Sequence, residues 1–395
     1  MAENVIVVGA GPVGLTCAAL LLRAGIPVRV LESTAQRPAD LRASTWHPPT
    51  LDLIESLGLA APLIARGLVS PTWQVRLHPS GERAVFDLGV LAGDTRHPFR
   101  LQCEQQVYCD LLEEHLADHG CPVRRGATVT GLNPESDGVS VNVQVAGQDE
   151  RVKASWLIGA DGARSAVRSA VGLDLEGSTY PETTILVTTT FPFEAHLEGL
   201  SNVNYCWAPT GTFSLLRLPK LWRVSLYAAT GESVEDALLL PAIEAKLQQI
   251  VPAARPYPVN DVRPYRIHQR IVSTYRASRV LLAGDAAHLN SPSGGMGMNG
   301  GLHDAFNLCE HLARVWAGAS EDVLDLYTRQ RRPVAAGQIL GQAHRNRTRM
   351  QERDPLRRRQ ALADLQAIAA DPVLGREYLL ESSMILGLRQ AAAIV

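Results

Sequence analysis

The sequence is 395 residues long, carries a formal net charge of −2 and is 46% hydrophobic. Such a chain can form two or three domains around a large core. The balanced charge leaves no basic stripe for a nucleic-acid partner, and the one arginine-rich run, residues 345–359, reads as a solvated helix face.

Six cysteines are scattered along the chain without a CxxC pair or a metal-type spacing. This pattern indicates free, mostly buried thiols in a reducing compartment and no metal site. The N-terminus lacks the basic start and cleavage site of a signal peptide, and no run of about 18 apolar residues follows. We therefore expect a cytoplasmic protein with no transmembrane segment.

Residues 5–32 follow a strand–helix–strand pattern. Val5–Val8 and residues 28–31 are short apolar runs, typical of strands that are buried on both faces of a parallel sheet. Between them, the apolar residues 15–24 predict a helix that ends near Gly25. The three segments together predict a βαβ unit.

A glycine motif, Gly9-x-Gly11-x-x-Gly14, joins the first strand to this helix, and Glu32 ends the second strand. The first glycine allows a tight turn, the second lets a pyrophosphate approach the backbone, and the third lets helix and strand pack closely. The helix N-terminus favours phosphates, and Glu32 can accept hydrogen bonds from ribose hydroxyls. Because Glu32 would repel a 2′-phosphate, the motif predicts FAD or NAD without choosing between them.

An antiparallel sheet interrupts this α/β pattern. Residues 183–276 alternate apolar and polar side chains between turns, and residues 73–88 are also strand-like. The other predicted elements are helices at 47–57, 105–119 and 301–316, strands at 139–145, 156–158 and 280–283, and a mostly helical stretch over 321–395.

Two further motifs distinguish between FAD and NAD. The first motif is Gly-Ala-Asp-Gly-Ala-Arg-Ser, from Gly159 to Ser165. The second is Gly-Asp-Ala-Ala-His, from Gly284 to His288, and a glycine-rich loop follows it. They resemble the DG and GD motifs and the flavin-facing loop of the aromatic-ring flavoprotein monooxygenases typified by p-hydroxybenzoate hydroxylase. The resemblance covers roughly residues 1–345. It implies a Rossmann-like FAD-binding domain with an inserted antiparallel substrate sheet and a helical C-terminus.

The resemblance also implies which residues bind FAD. Arg42 approaches the flavin phosphates, Gln105 contacts the flavin, Asp285 accepts hydrogen bonds from the ribityl chain, and Pro292 walls the ring near its oxygen-reacting carbon. Residues 294–301 form a loop with almost no side chains that brings backbone N–H groups to the ring. The implied cofactor residues are Gly9, Gly11, Gly14, Glu32, Arg42, Gln105, Asp161, Asp285, Gly295, Gly297, Met298 and Asn299.

Several of these side chains have a structural alternative. Asp285 could cap the segment that follows it. His288 beside a cofactor is more often structural than a proton donor. Arg164 and Arg168 either bind phosphates of a nicotinamide cofactor or are ordinary surface arginines. The family usually has glutamine where this chain has Met296, so a polar contact from that side chain is in doubt.

The activity that the resemblance implies is hydroxylation of an aromatic or phenol-like molecule. NADH or NADPH binds transiently and passes a hydride to FAD. Reduced FAD then adds O₂ to give a C4a-hydroperoxyflavin that attacks the electron-rich ring. The sequence offers no carboxylate pair, metal cluster or nucleophile triad, which agrees with chemistry supplied by the cofactor. A homo-oligomer is compatible with the sequence.

The substrate is expected between the inserted sheet and the flavin. Tyr205, Trp207 and Phe213 are placed on one set of alternating faces, and Trp73 is a further candidate. Arg223 and Tyr227 are also candidates, although a solvated outer face explains Arg223, Ser225 and Tyr227 better. His47 is either a pocket residue with a catalytic role, alongside Pro292, or a helix-start residue.

The predicted domains are discontinuous. The FAD-binding domain takes residues 1–70, 97–182 and 277–345, the substrate domain takes 71–96 and 183–276, and residues 346–395 form a C-terminal helical region. Three alternatives stay open: a flavin halogenase, whose Trp-x-Trp-x-x-Pro segment we do not find, a prenyl-chain reductase of the same fold, and a non-catalytic FAD-binding protein.

Overall fold

The computed structural model describes residues 4–37, 43–229 and 231–395. Its strands are β1 (Val5–Val8), β2 (Val28–Glu32), β3 (Thr45–Trp46), β4 (Leu68–Ser70), β5 (Thr72–Leu77), β6 (Arg83–Asp87), β7 (Arg100–Gln102), β8 (Arg124–Arg125), β9 (Ala127–Pro134), β10 (Val139–Val145), β11 (Gln148–Ala154), β12 (Trp156–Gly159), β13 (Glu176–Thr189), β14 (Val203–Ala208), β15 (Gly211–Arg217), β16 (Trp222–Tyr227), β17 (Val259–Ile271), β18 (Arg276–Ala277), β19 (Val280–Leu282) and β20 (His288–Leu289).

Its α-helices are α1 (Pro12–Arg23), α2 (Pro48–Glu55), α3 (Ala60–Ile64), α4 (Gln105–Asp118), α5 (Ala166–Ala170), α6 (Val234–Ala237), α7 (Leu240–Ile250), α8 (Met296–Trp316), α9 (Val323–Val334), α10 (Gly341–Gln351), α11 (Pro355–Ala370), α12 (Pro372–Ser382) and α13 (Ile385–Ala392). The helical C-terminus is therefore confirmed. Within the described residues, no helix is long and apolar enough to cross a membrane.

The first large sheet has the strand order β18-β19-β12-β1-β2-β8. All of these strands except β18 run parallel, and β1 and β12 are buried along their whole length. A strand covered on both faces needs apolar side chains throughout, which explains the short hydrophobic runs of the sequence. The carboxyl ends of β1, β2, β12 and β19 meet at one edge of the sheet, where ligands of open α/β sheets bind.

The second large sheet has the order β20-β17-β13-β16-β15-β14-β5-β6 and is antiparallel except between β14 and β5. It confirms the predicted inserted sheet. One of its faces packs against α7 through residues such as Phe213 and Val224. The other face packs through Trp73 and Trp207 against the C-terminal helices α11 to α13.

Helix α8 begins earlier than the sequence predicts. The glycine-rich stretch 294–301 was expected to be a loop, but only Gly294 and Gly295, with φ of +101° and +69°, form a turn. The remaining glycines lie inside the helix, where a Cβ on Gly300 would be 2.5 Å from Ile339 Cδ1 and one on Gly301 would be 2.7 Å from Val13 Cγ2. Close helix packing, rather than loop flexibility, therefore explains these two glycines.

All six cysteines are buried and free. The expectation of unpaired, buried thiols is therefore confirmed.

Candidate active site

The three glycines of the N-terminal motif have different surroundings. A Cβ on Gly9, whose φ is +104°, would be 2.4 Å from the carbonyl oxygen of Ala160, and one on Gly14 would be 2.0 Å from the carbonyl oxygen of Gly9. A Cβ on Gly11 would have no described atom within 4 Å. Gly9 and Gly14 are thus required by packing, whereas Gly11 faces an open cradle at the N-terminus of α1, where free N–H groups attract phosphates.

Hydrogen bonds hold the Glu32 carboxylate beside this cradle. Its Oε2 accepts a hydrogen bond of 2.8 Å from the N–H of Ala10, and its Oε1 accepts hydrogen bonds from the N–H and the hydroxyl of Thr34 at 2.8 and 2.7 Å. Burial alone would raise the pKa of Glu32, but these hydrogen bonds outweigh it, and the pKa is lowered. The carboxylate therefore stays ionised at the edge of the sheet.

The segment around Asp161 is tied to the segment around Asp285. Asp161 accepts hydrogen bonds from the Ser165 hydroxyl at 2.5 Å and from the N–H of Val167, in the first turn of α5, at 3.2 Å. Ser165 itself is the N-cap of α5. Arg168 is 8% exposed and donates to the carbonyl oxygens of Ala286 and Ala163 at 3.1 and 3.0 Å. The surface interpretation of Arg168 is therefore wrong, since its guanidinium joins two motifs. Arg164 is exposed.

Asp285 lies in a short 3-10 turn, Gly284–Ala286, directly after β19. Its side chain is exposed at the same edge as Gly11 and Glu32, and the cap position of the turn belongs to Ala283. Arg42 lies outside the described residues, and Gln105 is the first residue of α4, half-buried.

A buried ionic cluster holds the turn around Asp285 against α8. His288 Nε2 and Asp304 Oδ2 are 2.7 Å apart, and Arg331 Nε donates to Asp304 Oδ1 at 2.8 Å. All three side chains are at most 1% exposed. Burial raises the pKa of Asp304, but His288 and Arg331 outweigh it and leave the pKa lowered. These contacts give His288 a structural position. No local motif singles out Asp304 or Arg331 in the sequence.

His47 and Asn299 fix the glycine turn. His47 Nε2 donates to the carbonyl oxygen of Gly294 at 2.8 Å, because a carbonyl can only accept. Asn299 accepts from the N–H of His47 at 3.0 Å and donates to the carbonyl oxygens of Thr45 and Gly295 at 2.9 and 2.7 Å. Burial, aided by the charge of Arg100, lowers the pKa of His47 well below its usual value. His47 is therefore neutral, buried, and the residue that precedes α2.

The other predicted residues of this segment lie around the turn. Pro292 is half-buried, and its carbonyl oxygen accepts a hydrogen bond of 3.0 Å from the N–H of Gly295. A Cβ on Gly297 would be 2.8 Å from Asn290 Oδ1, so a larger residue here would displace the Asn290 side chain. Met298 is half-buried against the core of the first sheet.

A cavity lies between the second sheet, the glycine turn and the C-terminal helices. Of the predicted substrate residues, Tyr205 and Trp73 line it. Its other lining residues are Val75, Arg100, Ser293, Gly294, Met296, Asn346, Arg349, Met350, Tyr378 and Ser382. The sequence did not single out Arg100 or the C-terminal residues, because nothing local to them indicates a pocket.

The remaining predicted substrate residues lie elsewhere. Trp207 is fully buried beside the cavity and donates its ring N–H to the carbonyl oxygen of Arg349 at 3.1 Å. Phe213 pairs with Cys206 and packs on the opposite face under α7, so its assignment to the face of Tyr205 is wrong. Arg223 is 6% exposed and donates to Ser44 Oγ at 2.9 Å, and Tyr227 is half-buried. The solvated outer face predicted for them is therefore also wrong.

Comparison with known proteins identifies relatives over nearly the whole chain. The model of the family described as "FAD binding domain" matches residues 2–340. Para-nitrophenol 4-monooxygenase of Pseudomonas sp. (strain WBC-3) is 34% identical over 395 residues, covering 98% of this chain and 97% of that protein. Pentachlorophenol 4-monooxygenase of Sphingobium chlorophenolicum is 32% identical and covers 86% of this chain and 63% of that protein. The crystal structure of p-nitrophenol 4-monooxygenase from Pseudomonas putida DLL-E4 aligns with a TM-score of 0.91 at 33% identity over 98% of both chains.

Proposed function

This chain belongs to the FAD binding domain family and is an FAD-dependent aromatic monooxygenase, and on that premise we propose that it hydroxylates a phenol with NADH or NADPH and O₂. The observation that carries the proposal is the aromatic cavity, which is lined by Trp73, Tyr205 and Gly294 of the glycine turn. The relatives named above act on nitrophenol and chlorophenol, and they give no support to the halogenase and reductase alternatives.

The residues at the sheet edge fit FAD. Gly11 leaves the space that a pyrophosphate needs, and the N-terminus of α1 supplies N–H groups toward it. Glu32 is ionised and aimed at the same edge, where ribose hydroxyls can donate to it. Asp285 offers a second carboxylate there. Bound FAD would supply the electron transfer and the oxygen activation.

The protein's own contribution is position and exclusion of water. His47 and Asn299 hold the glycine turn rigid, so its N–H groups keep a fixed direction. Helix α8 starts one residue later, and its N-terminal dipole favours negative charge at the turn. Trp73, Tyr205 and Met296 line the cavity and would shield a ring bound there from solvent, which limits the loss of activated oxygen as H₂O₂.

We expect the substrate to accelerate cofactor reduction. An open, wet site would waste the activated oxygen as H₂O₂, so a bound phenol should raise the rate of FAD reduction by NADH or NADPH at least about tenfold, or about 1.4 kcal/mol in barrier height. Stopped-flow absorbance with and without para-nitrophenol and related phenols measures this rate, and product mass measures the added oxygen.

The two readouts separate two claims. A product heavier by one oxygen with an unchanged reduction rate would reject the acceleration and keep the hydroxylase. Reduction without any oxygenated product across phenols, hydroxybenzoates and N-heterocycles would reject the proposed function.

Glu32→Ala is expected to weaken FAD binding by roughly 10- to 100-fold. The variant loses hydrogen bonds of a charged group, which are worth about 1.5–3 kcal/mol, and frees the N–H of Ala10. Fluorescence titration of the apoprotein with FAD measures the change. Glu135→Ala, which removes an exposed ion pair to Lys153, is the matched control and should leave the affinity unchanged. Equal affinities in both variants would contradict the place assigned to Glu32.

A further inference from the structure

Arg100 is a buried arginine that forms no ion pair with any residue that the structure describes. Arg100 is 2% exposed, and its Nε and Nη1 have no hydrogen-bond partner among the described residues. The guanidinium carbon lies 4.9 Å from the ring centroid of Trp73. The guanidinium donates a hydrogen bond to the side chain of Tyr205, and Tyr378 is also close to it. Aromatic rings stabilise a cation only in part, so the charge of Arg100 is left uncompensated.

Other buried arginines of the described chain have acceptors. Arg331 pairs with Asp304, Arg168 donates to two carbonyl oxygens, and Arg358 donates to the carbonyl oxygens of Glu352, Ala208 and Gly211. Arginine cannot shed its proton in a protein, and a buried donor needs a partner. Arg100 differs from these arginines because Tyr205 is its hydrogen-bond partner and two of its three nitrogens, Nε and Nη1, have no partner among the described residues. The chain's own packing therefore leaves donors of Arg100 unused.

The cavity that Arg100 lines is rich in donors and lacks acids. Trp73 Nε1 and Ser382 Oγ are also buried without a partner within the described part of the chain. None of the described residues that line the cavity is aspartate or glutamate. A ligand that fits must therefore bring acceptor atoms and a negative charge, together with a flat apolar body for the aromatic walls.

We propose that Arg100 determines substrate specificity by pairing with an anionic oxygen carried on the aromatic ring, either a phenolate or a ring carboxylate. The proposal rests on the proposed function and names its substrate class. Arg100 and Gly294 line the same cavity, so a ring bound there would lie close to both the guanidinium and the glycine turn. A neutral aromatic compound of the same shape would leave the buried charge unpaired, which is strongly unfavourable.

Matched pairs of ligands test this inference on the FAD-loaded protein. The first pair is 4-nitrophenol and its methyl ether, and the second is benzoate and methyl benzoate; their dissociation constants come from perturbation of the flavin absorbance. We expect the anion to bind at least about tenfold more tightly than the neutral partner in at least one pair, since hydrogen bonds to charged groups are the strong ones. The pair that shows the preference tells a phenolate from a carboxylate.

Variants assign the preference to Arg100. Arg100→Met, which keeps the length and removes the charge, should reduce the preference below about threefold while the neutral ligand binds as before, and Arg100→Lys should retain part of it. Arg217→Met is the matched control, because Arg217 also stacks on a tryptophan, Trp222, but is 42% exposed and outside the cavity. Arg100→Gln replaces the methionine variant if that variant does not bind FAD.

Three results would overturn the proposal. The first is no preference for the anion in either pair, and the second is a preserved preference in the Arg100→Met or Arg100→Gln variant. The third is an equal loss of affinity for the anionic and the neutral ligand, which would mark Arg100 as a structural residue. Product mass from the same compounds reports independently on hydroxylation. Oxygenated product without an anion preference rejects the role of Arg100 alone, whereas no oxygenated product from any aromatic compound rejects the proposed function.

Discussion

Asp304→Ala is expected to lower the free energy of unfolding by about 3–5 kcal/mol, because removing one partner of a buried ion pair leaves the other charge uncompensated. Asp304 is completely buried, holds Arg331 and His288, and accepts from the N–H of Gly284 at 3.3 Å. The variant loses all of these contacts, and Arg331 keeps its charge in the core. Urea unfolding of the apoprotein, followed by circular dichroism, measures the change without a contribution from FAD binding.

Asp325→Ala is the matched control for this experiment. Asp325 also pairs with an arginine, Arg276, at 2.9 Å, but its side chain is 61% exposed. Exposed ion pairs contribute at most about 1 kcal/mol. Similar losses in the two variants would contradict the cost assigned to the buried cluster.

The stabilisation by Asp304 should depend on pH only in the acidic range. Since the pKa of Asp304 is lowered in the folded state, its contribution to the free energy of unfolding is present above the pKa of an unfolded aspartate and is lost only as the pH falls through the lowered value. The difference between the variants should therefore be the same at neutral and mildly acidic pH.

The part of the site that sequence predicts best is built from neighbours in the chain. The strand Val5–Val8, the glycine motif and Glu32 lie within one βαβ unit, so their spacing alone brings them to one edge of the sheet. The conformation of each glycine then follows from local geometry. The motifs around Asp161 and Asp285 reach the same edge because β12 and β19 run parallel to β1.

The substrate face was harder to predict, because side chains alternate with a period of two and the sequence does not say which set faces the cavity. Tyr205 and Phe213 therefore fell on opposite faces of the sheet. Arg100, Arg349 and Tyr378 meet across about 280 residues of chain, and no local pattern records such a contact. The family resemblance and the near absence of side chains predict a loop over 294–301, but the helix begins at Met296 and packs closely at Gly300 and Gly301.

Gly11 and Gly14 belong to the same motif, but substitutions at the two positions are expected to have different effects. Gly11→Val is expected to leave the apoprotein folded and to weaken FAD binding more than about 100-fold. The backbone of Gly11 has a φ of −78° and a ψ of 178°, which valine adopts readily, and no described atom lies within 4 Å of the new Cβ. The branched side chain then occupies the space that the pyrophosphate needs.

Gly14→Ala is expected to have the opposite pattern, because it should destabilise the fold rather than remove a contact with FAD. Its Cβ would be 2.0 Å from the carbonyl oxygen of Gly9, which belongs to the backbone and cannot turn away. Helix α1 must then move off β1, and overpacking of this kind destabilises by about 1–3 kcal/mol or more. Melting of the two apoproteins, together with titration with FAD, separates the effects. A Gly11→Val variant that binds FAD like the wild type would show that the pyrophosphate lies elsewhere, and a Gly14→Ala apoprotein that melts like the wild type would show that helix and strand do not need this glycine.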